Sequence, residues 1–399
     1  MSTVRDRGAS SPQVLRQANR QALLQHALFS EGFTAADAME STGLTRATVL
    51  GLCADLESAG WLQEVAEERG DGAARRGRPA RRFALRDDAA VIIGIDAGEH
   101  SLTARVADLR GREIAAARTA VGGAAVGAAA RVEAVRQLID CVVEEAGARA
   151  SRRLLTVVGV PAPVDGQGRS PRGENDFWPS MNPGFVDALD GEVLVENDAN
   201  LAVIAEHSLG GSEHMGALLM GERFGAGLIV DGRLLRGADG GAGEMRFLDV
   251  VLEDSRGADG VAALARRWSV DALAAGQESP ALSAIPRGEL TAVDVFAAAR
   301  AGDALAVAVL NRIGARVARI AAILASLLGV QRIVLAGAIS EAIGPVLDHA
   351  RAILPEITSE PLPELIASSL GRDVVVRGAI EHALSRLRAD PLELLGPDL

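Results

Sequence analysis

Apolar residues near the N-terminus recur at helical spacing. Between Pro12 and Leu28 they repeat every three or four positions, which predicts an amphipathic helix. Thr34 and Thr45 are placed to cap two further short helices, and Thr42-Gly43-Leu44 forms the turn between them. The third helix has one apolar face, formed by Val49, Leu52, Cys53 and Leu56. Two short helices joined by a glycine turn indicate a helix-turn-helix unit.

The segment after the third helix adds two strands around a polar loop. Trp61–Val65 and Arg81–Leu85 have the composition of strands, and the loop between them contains Arg76 and Arg78 on either side of Gly77. A hairpin that follows a helix-turn-helix predicts a winged helix-turn-helix domain, which we place at residues 1–88. An ordinary helical hairpin with a solvated basic loop is the alternative.

The winged-helix prediction assigns roles to five polar residues. A recognition helix presents its first residues to base edges in the major groove, so Thr45, Arg46 and Thr48 are candidate base contacts. Arg76-Gly77-Arg78 resembles an AT-hook core, whose extended arginines lie in narrow A·T minor grooves. Double-stranded DNA is therefore the expected partner of this region.

Beyond Arg86 the apolar pattern changes to buried strands that alternate with helices, which predicts an α/β fold. The first half holds a strand with a glycine turn, its hairpin partner, a helix, a buried strand and a strand-turn-helix unit: 91–98, 103–109, 132–146, 154–165 and 192–210. The second half repeats the plan with a hairpin, a long helix and a strand: 217–235, 305–328 and 332–340. Two such halves predict two lobes, 89–210 and 211–399, with a ligand cleft between them.

Charge and cysteine content narrow the class of protein. The formal net charge is −12, yet residues 1–86 carry twelve arginines against ten acidic residues, and the chain has no lysine. The basic excess is thus confined to the predicted DNA-binding segment. Cys53 and Cys141, the only cysteines, lie in different predicted helices, which excludes a disulfide framework and predicts no bound metal. Without an apolar leader or a long apolar span, we expect a cytoplasmic protein that binds no membrane.

Six segments of the α/β region resemble, in order, the motifs of the ROK family of repressors and sugar kinases, which share an actin-like ATPase fold. They are GIDAG with ADLRGREI, GVPAPVDGQG, VENDAN, GLIVDGRLLRGADGGAGE, ARAGDALAVAVL and VLAGAIS. The resemblance covers residues 91 to about 387, and the winged helix is similar to that of the family's repressor branch. It implies a winged helix-turn-helix followed by a two-lobed actin-like body, residues 89–399, that binds an effector and dimerises.

The resemblance also implies where a small molecule binds. ROK sugar sites use the Asn-Asp pair of the VENDAN motif, the glutamate after GGAG and an asparagine near a tryptophan, here Asn197, Asp198, Glu244 and Asn175. In the kinases the aspartate takes a proton from the attacking hydroxyl as general base. Asp198 has a structural alternative, as the N-cap of the next helix. Arg246 stands where the family has histidine, so it either holds an anionic group of an effector or balances the acidic surroundings.

The motifs for ATP depart from the family pattern at three places. The first phosphate turn carries Glu99 and His100 where kinases have Gly and Thr, and the second carries Glu222 and Arg223 where kinases have small residues. The glycine pair on the adenosine side has become Ala336-Gly337. A carboxylate in a phosphate-facing turn repels a triphosphate and fills its space. We therefore expect no catalytic residue and no nucleotide cofactor.

The family's structural zinc also lacks its ligands in this sequence. Residues 250–265 replace the cysteine-rich segment and contain neither Cys nor His. Zinc in proteins is held by such side chains, so we expect no metal site.

Together these patterns predict a DNA-binding transcriptional regulator, a repressor controlled by a sugar or sugar-phosphate effector that binds an inactive kinase-like body. A homodimer or tetramer is expected, because two recognition helices on one face of operator DNA bind more tightly than one. Two alternatives stay open. One is an active ROK sugar kinase with a fused DNA-binding head, and the other is a regulator whose body has lost its small molecule and serves dimerisation or protein contact.

Overall fold

The computed structural model describes residues 12–66, 80–122, 126–150, 152–172, 176–244 and 259–395. The N-terminal part, which we call the head, is a winged helix-turn-helix. Its helices are α1 (Pro12–Phe29), α2 (Ala35–Thr42) and α3 (Arg46–Ser58). Its strands are β1 (Phe33–Thr34), β2 (Leu62–Val65) and β3 (Arg82–Leu85), in the antiparallel order β1-β3-β2.

The caps of the head are those that the sequence predicts. The Thr34 side chain accepts a hydrogen bond from the backbone N–H of Asp37, and the Asp37 carboxylate accepts one from the backbone N–H of Thr34, so α2 starts on a capping box. Gly43 ends α2 in the left-handed region with φ of 71°, a conformation that glycine adopts without strain. Thr45 caps α3 by accepting from the N–H of Thr48. The four predicted apolar residues of α3 are all buried.

The rest of the chain, which we call the body, contains two five-stranded sheets built on one plan. The first lobe holds β4 (Val91–Ala97), β5 (Ser101–Ala107), β6 (Glu113–Ala120), β7 (Arg153–Val160) and β8 (Val193–Asn197), in the order β6-β5-β4-β7-β8. The second holds β9 (Met215–Met220), β10 (Phe224–Val230), β11 (Arg233–Leu234), β12 (Arg332–Ala336) and β13 (Glu364–Ala367), in the order β11-β10-β9-β12-β13. Each sheet joins an antiparallel meander to two parallel strands, as the predicted internal repeat requires.

Helices cover both sheets. In the first lobe they are α4 (Ala128–Ala146), α5 (Phe177–Met181), α6 (Phe185–Ala188) and α7 (Asp198–Ser208). In the second lobe and the C-terminal region they are α8 (Val261–Ala274), α9 (Ala292–Arg300), α10 (Ala304–Leu328), α11 (Gly344–Ile357), α12 (Val374–Ala389) and α13 (Pro391–Leu395). Among the described helices, none is both long and apolar enough to cross a membrane.

Helices α7 and α12 pack against each other between the two sheets, and glycines bring their backbones close. A Cβ on Gly378 of α12 would lie 1.9 Å from the carbonyl oxygen of Leu201 in α7. A Cβ on Gly227 of β10 would lie 2.0 Å from the carbonyl oxygen of Ala199. No larger residue fits at either place without a backbone shift. These contacts make the α7–α12 side of the body a tightly packed region between the two sheets.

The head is fixed to the first lobe through the C-terminal end of α1. The guanidinium of Arg110, in the β5–β6 turn, donates to the carbonyl oxygens of Ala27 (3.2 Å), Leu28 (2.6 Å) and Ser30 (2.7 Å), and its Nε donates to Asp87 (3.0 Å). These carbonyls lie where a helix ends without intrahelical partners, so one side chain satisfies several of them.

Two further contacts complete this head–body junction. The Gln25 amide of α1 donates to the carbonyls of Arg388 and Ala389 at the end of α12. The Arg152 guanidinium lies 4.1 Å above the ring of the fully buried Trp61. Apolar residues of the head and the body form one continuous buried cluster around these contacts.

Candidate functional site

Three carboxylates lie together in the cleft between the lobes. Asp96 ends β4, Asp198 begins α7, and Glu244 follows the glycine-rich loop after β11. Burial, together with the negative charges of Asp96 and Glu244, raises the pKa of Asp198 to about 8. Burial likewise raises the pKa of Asp96 to about 7, against the opposing effect of Arg118 and Arg131. Asp198 and Glu244, predicted from sequence, thus share one electrostatic environment, and Asp96 joins them.

The Asn197 side chain is engaged at both ends. Its oxygen accepts from the N–H of Asn200, which makes Asn197 the N-cap of α7, and its nitrogen donates to the carbonyl of Ala162 at 3.0 Å. The alternative that Asp198 is the cap is therefore wrong, because Asp198 is the first helical residue. Asn197 fixes the loop after β7 to the start of α7, and this fixes where Asp198 is presented.

Glu196 is a site residue that the sequence argument missed. It is 4% exposed, and its carboxylate accepts from the backbone N–H of Asn197 (2.9 Å) and from the Asn200 amide (2.9 Å). Arg236, beyond β11 in the second lobe, donates to the same carboxylate at 3.0 Å and 2.8 Å. A glutamate directly before the Asn-Asp pair was the available signal, since a charge at the end of a buried strand needs a partner.

The two phosphate-type turns face each other across the cleft. Nε of Arg223 lies 3.2 Å from the Glu99 carboxylate, and its guanidinium lies 3.3 Å from the ring centre of Phe177. Glu222 accepts two hydrogen bonds of 2.8 Å from Arg266 of α8, and these bonds hold its pKa below the ordinary value. From the sequence, the carboxylates of Glu99 and Glu222 were expected to be uncompensated charges. Each is in fact paired with an arginine, Glu99 with Arg223 and Glu222 with Arg266.

Arg131 holds the first turn from inside the first lobe. Its side chain is fully buried and donates to the carbonyls of Ala97 (2.5 Å), Gly98 (2.7 Å) and Met181 (3.3 Å). Burial lowers its pKa, although the charges of Asp96 and Glu99 oppose that shift. A buried cation that binds the turn's carbonyls makes the β4–β5 turn a rigid support for Glu99.

Several predicted residues lie outside the described part of the chain. Asn175 and Arg246 of the effector site do, as do Arg76 and Arg78 of the wing. Residues 245–258, which include most of the segment in place of the zinc motif, lie outside it as well. Their roles, and the expected absence of zinc, stay predictions.

The recognition helix presents a small and partly polar surface. Arg46 and Gly51 are exposed, whereas Thr48 is half-buried and its hydroxyl lies 2.9 Å from that of Thr45. The Thr45 hydroxyl therefore bonds to the Thr48 hydroxyl as well as capping the helix. Of the three predicted base contacts on this helix, Thr45 and Arg46 are the exposed ones.

The chain belongs to the ROK family, whose model matches residues 92–385. A glucokinase of Halalkalibacterium halodurans is 32% identical over 209 residues, which are 47% of this chain and 62% of that enzyme. The chain thus spans less than two thirds of that relative. The DNA-binding transcriptional dual regulator NagC of Escherichia coli is 26% identical over 364 residues, 86% of this chain and 84% of NagC.

Similarity to a solved structure extends through the head. A ROK family transcriptional regulator, a homologue of the E. coli MLC protein, superposes with a TM-score of 0.70 at 21% identity. The alignment covers 93% of this chain and 96% of that one. The winged helix followed by a two-lobed actin-like body is therefore the fold of this protein, as the sequence predicted.

Proposed function

We propose that this protein is a DNA-binding transcriptional regulator, a repressor whose body binds a sugar or sugar derivative and transfers no phosphate from ATP. The observation that carries the proposal is the attachment of a helix-turn-helix head to a ROK body whose two phosphate turns are joined by Glu99 and Arg223. The likeness to NagC over 86% of the chain supports it. We place the boundary between head and body near residue 88 and expect the protein in the cytoplasm. We also expect a homodimer, and light scattering of the purified chain can test that mass.

The effector site is proposed to lie on Asp198, Glu244 and Asp96, with Asn175 and Arg246 contributing from outside the described residues. Carboxylates accept hydrogen bonds from hydroxyls, and a carboxyl with a pKa near 8 also donates when it is protonated at neutral pH. Such a mixed set suits the alternating donors and acceptors of a sugar. Effector binding would favour a more closed cleft and so change the relation of the heads to operator DNA.

Effector binding can be tested by thermal shift and calorimetry with glucose, N-acetylglucosamine, N-acetylmannosamine and their 6-phosphates. We expect one of these to bind and to change operator affinity in gel shifts. Asp198→Ala should lose that response while DNA affinity persists, and Asp140→Ala, at an exposed carboxylate of α4, should keep it. A full response from Asp198→Ala would place the effector elsewhere. If the wild type binds DNA but none of these ligands, the alternative of a body that serves dimerisation or protein contact would be favoured.

DNA contacts can be divided by role. Operator sequences would first be selected from random DNA with the full chain. Arg46→Ala should then relax preference at one position of each half-site by roughly 1–3 kcal/mol. Arg76→Ala with Arg78→Ala should weaken binding to all sequences and lower the salt slope by about one to two per head. If the wing variant binds like wild type at every salt concentration, the basic tract is a solvated loop.

Kinase activity is the second candidate, because the glucokinase relative is the more identical of the two sequences compared. Asp198 lies where a general base would act, and its raised pKa suits proton transfer near neutral pH. Against it, Glu99 and Arg223 occupy the space between the phosphate turns. ADP release from ATP with glucose or N-acetylmannosamine decides the matter. We expect none above background, and sugar-dependent release that Asp198→Ala abolishes would overturn the proposal.

A further inference from the structure

The two turns that would hold phosphate in a kinase meet directly in this protein. Glu99 lies in the β4–β5 turn of the first sheet and Arg223 in the β9–β10 turn of the second, 124 residues apart in sequence. The Arg223 guanidinium also lies over Phe177, a first-lobe residue that is 9% exposed. His100 of the first turn is close enough to Glu222 of the second for its charge to lower the Glu222 pKa. The contact thus joins the lobes on the side of the cleft where the turns lie.

Each partner of this contact is anchored in its own lobe. Arg131 holds the Glu99 turn through the carbonyls of Ala97 and Gly98. The Arg223 turn is held by α8, because the backbone N–H of Gly260 donates to Glu222 and that of Ala262 donates to Gly221. A Cβ on Gly260 would lie 2.1 Å from the Gly221 carbonyl oxygen, so turn and helix touch. Opening the cleft at this side would therefore break the contact instead of bending the turns.

We propose that Glu99, Arg223 and Phe177 form an interlobe latch, a set of positioning residues that holds the cleft closed and so sets how readily the body takes up its effector. The effect of the latch on effector uptake rests on the proposed function. The contact itself, between the two lobes, does not. The substituted positions that fill the phosphate turns are then a working contact rather than the remains of a lost site.

The latch is expected to shift the closed-to-open ratio of the cleft only modestly. An exposed ion pair and a partly desolvated cation–π contact each shift an equilibrium by a factor of a few, so together they should change the closed-to-open ratio roughly fivefold to thirtyfold. A shift of this size leaves both states accessible, and an effector with a moderate preference for one of them can then reverse the balance.

The latch can be tested by measuring the distance between the lobes without DNA or sugar. Cys141 of α4 is exposed, whereas Cys53 is buried and burial raises its pKa to about 11, so a thiol reagent will label Cys141. Gln277→Cys adds an exposed second site just after α8 in the other lobe. Spin labels at the two positions, in protein diluted with unlabelled chain to suppress distances between protomers, report cleft opening by pulsed dipolar spectroscopy.

Wild type should give one narrow distance distribution. Glu99→Gln, which keeps the shape of the side chain, and Arg223→Ala should each broaden it and shift it, and Glu99→Arg combined with Arg223→Glu should restore it. Arg332→Ala removes the same charge from a pair within the second sheet, away from the turns, and should leave the distances unchanged. Unaltered distances in both single variants would overturn the latch, as would an equal shift in Arg332→Ala. Because neither ligand is present, a failed effector screen would count against the proposed function and leave this result standing.

Discussion

The head–body junction and the latch both connect the first lobe to a neighbour, but they are built differently. At the junction, Trp61 is fully buried and the Arg110 side chain is 19% exposed. At the latch, the Arg223 side chain is 44% exposed and that of Glu99 is 21% exposed. Apolar surface surrounds the first contact, whereas the second depends on a few charged atoms that water can reach.

This difference indicates where the molecule moves. Buried apolar contacts and satisfied carbonyls are costly to separate, while an accessible ion pair exchanges for water at little cost. The head and first lobe should therefore move as one unit, and the cleft should open and close about the α7–α12 side. Under the proposed function, effector binding would change DNA binding by rotating this whole unit.

Gly378→Ala should have the largest effect on stability, because it disrupts the close packing of α7 against α12. The added methyl would lie 1.9 Å from a backbone oxygen, so α7 or α12 must shift. We expect the free energy of unfolding to fall by about 3 kcal/mol or more in urea titrations. Gly344→Ala, at a helical position with open space, is the control and should change it by less than about 1 kcal/mol. If Gly378→Ala is as stable as wild type, α7 and α12 pack less closely than this contact implies.

Arg110→Ala should break the junction. It leaves the carbonyls at the end of α1 without their donor and Asp87 without its closest partner, which should cost about 2 to 3 kcal/mol. Proteolysis between residues 86 and 90 should speed up as the head loosens. Arg112→Ala is the matched control, since Arg112 contacts the same Asp87 from a side chain that is 74% exposed. Equal behaviour of the two variants would contradict a special role for Arg110.

Asp198→Asn should change how the stability of the protein depends on pH. The folded state holds the Asp198 proton more tightly than the unfolded chain, so this group's contribution to stability is complete below about pH 4 and is lost as pH rises toward 8. The variant carries no such group and should gain roughly 1 to 2 kcal/mol over wild type between pH 5 and pH 9. Thermal unfolding across that range is the measurement, with Asp140→Asn as the exposed control. A gain that falls as pH rises would reverse the assigned direction.

Glu99→Gln should change global stability least. The latch pair is partly exposed, so its loss should alter the free energy of unfolding by less than about 1 kcal/mol even though the cleft opens more often. Chemical denaturation and the interlobe distance, measured on the same protein, test both halves of this statement. A loss above about 2 kcal/mol would mean that the contact is part of the core rather than a latch.

Much of the fold was predictable from local pattern. The caps at Thr34 and Thr45, the buried face of α3 and the two glycine-marked hairpins follow from spacing and from residues with strong conformational preferences. Helix α2 includes Thr42, which the sequence predicts in the turn, and Gly43 then ends the helix. Strand β6 was not predicted, since its alanine-rich sequence lacks the apolar alternation of a strand and is placed by pairing with β5.

The site was predictable only in part. Asp198 and Glu244 were named from motifs, whereas Asp96, Glu196, Arg131 and Arg236 were not singled out as site residues. The partner of each charged residue lies far away in sequence, and nothing local identifies it. For the same reason the sequence showed Glu99 and Glu222 as bare charges, although an arginine from elsewhere in the chain neutralises each.

Helix α12 runs from the α7 side of the cleft to the head. Its first turns pack against α7, the helix that begins at Asp198, and its last carbonyls are held by Gln25 of the head. Sixteen residues of α-helix are ~24 Å long, so tilting α12 by about 5° at the cleft end moves its far end by about 2 Å. Hydrogen bonds to base edges tolerate only a few tenths of an ångström. If the protein regulates transcription as proposed, a change in the cleft too small to alter the fold would move the far end of this helix enough to take α3 out of register with operator DNA.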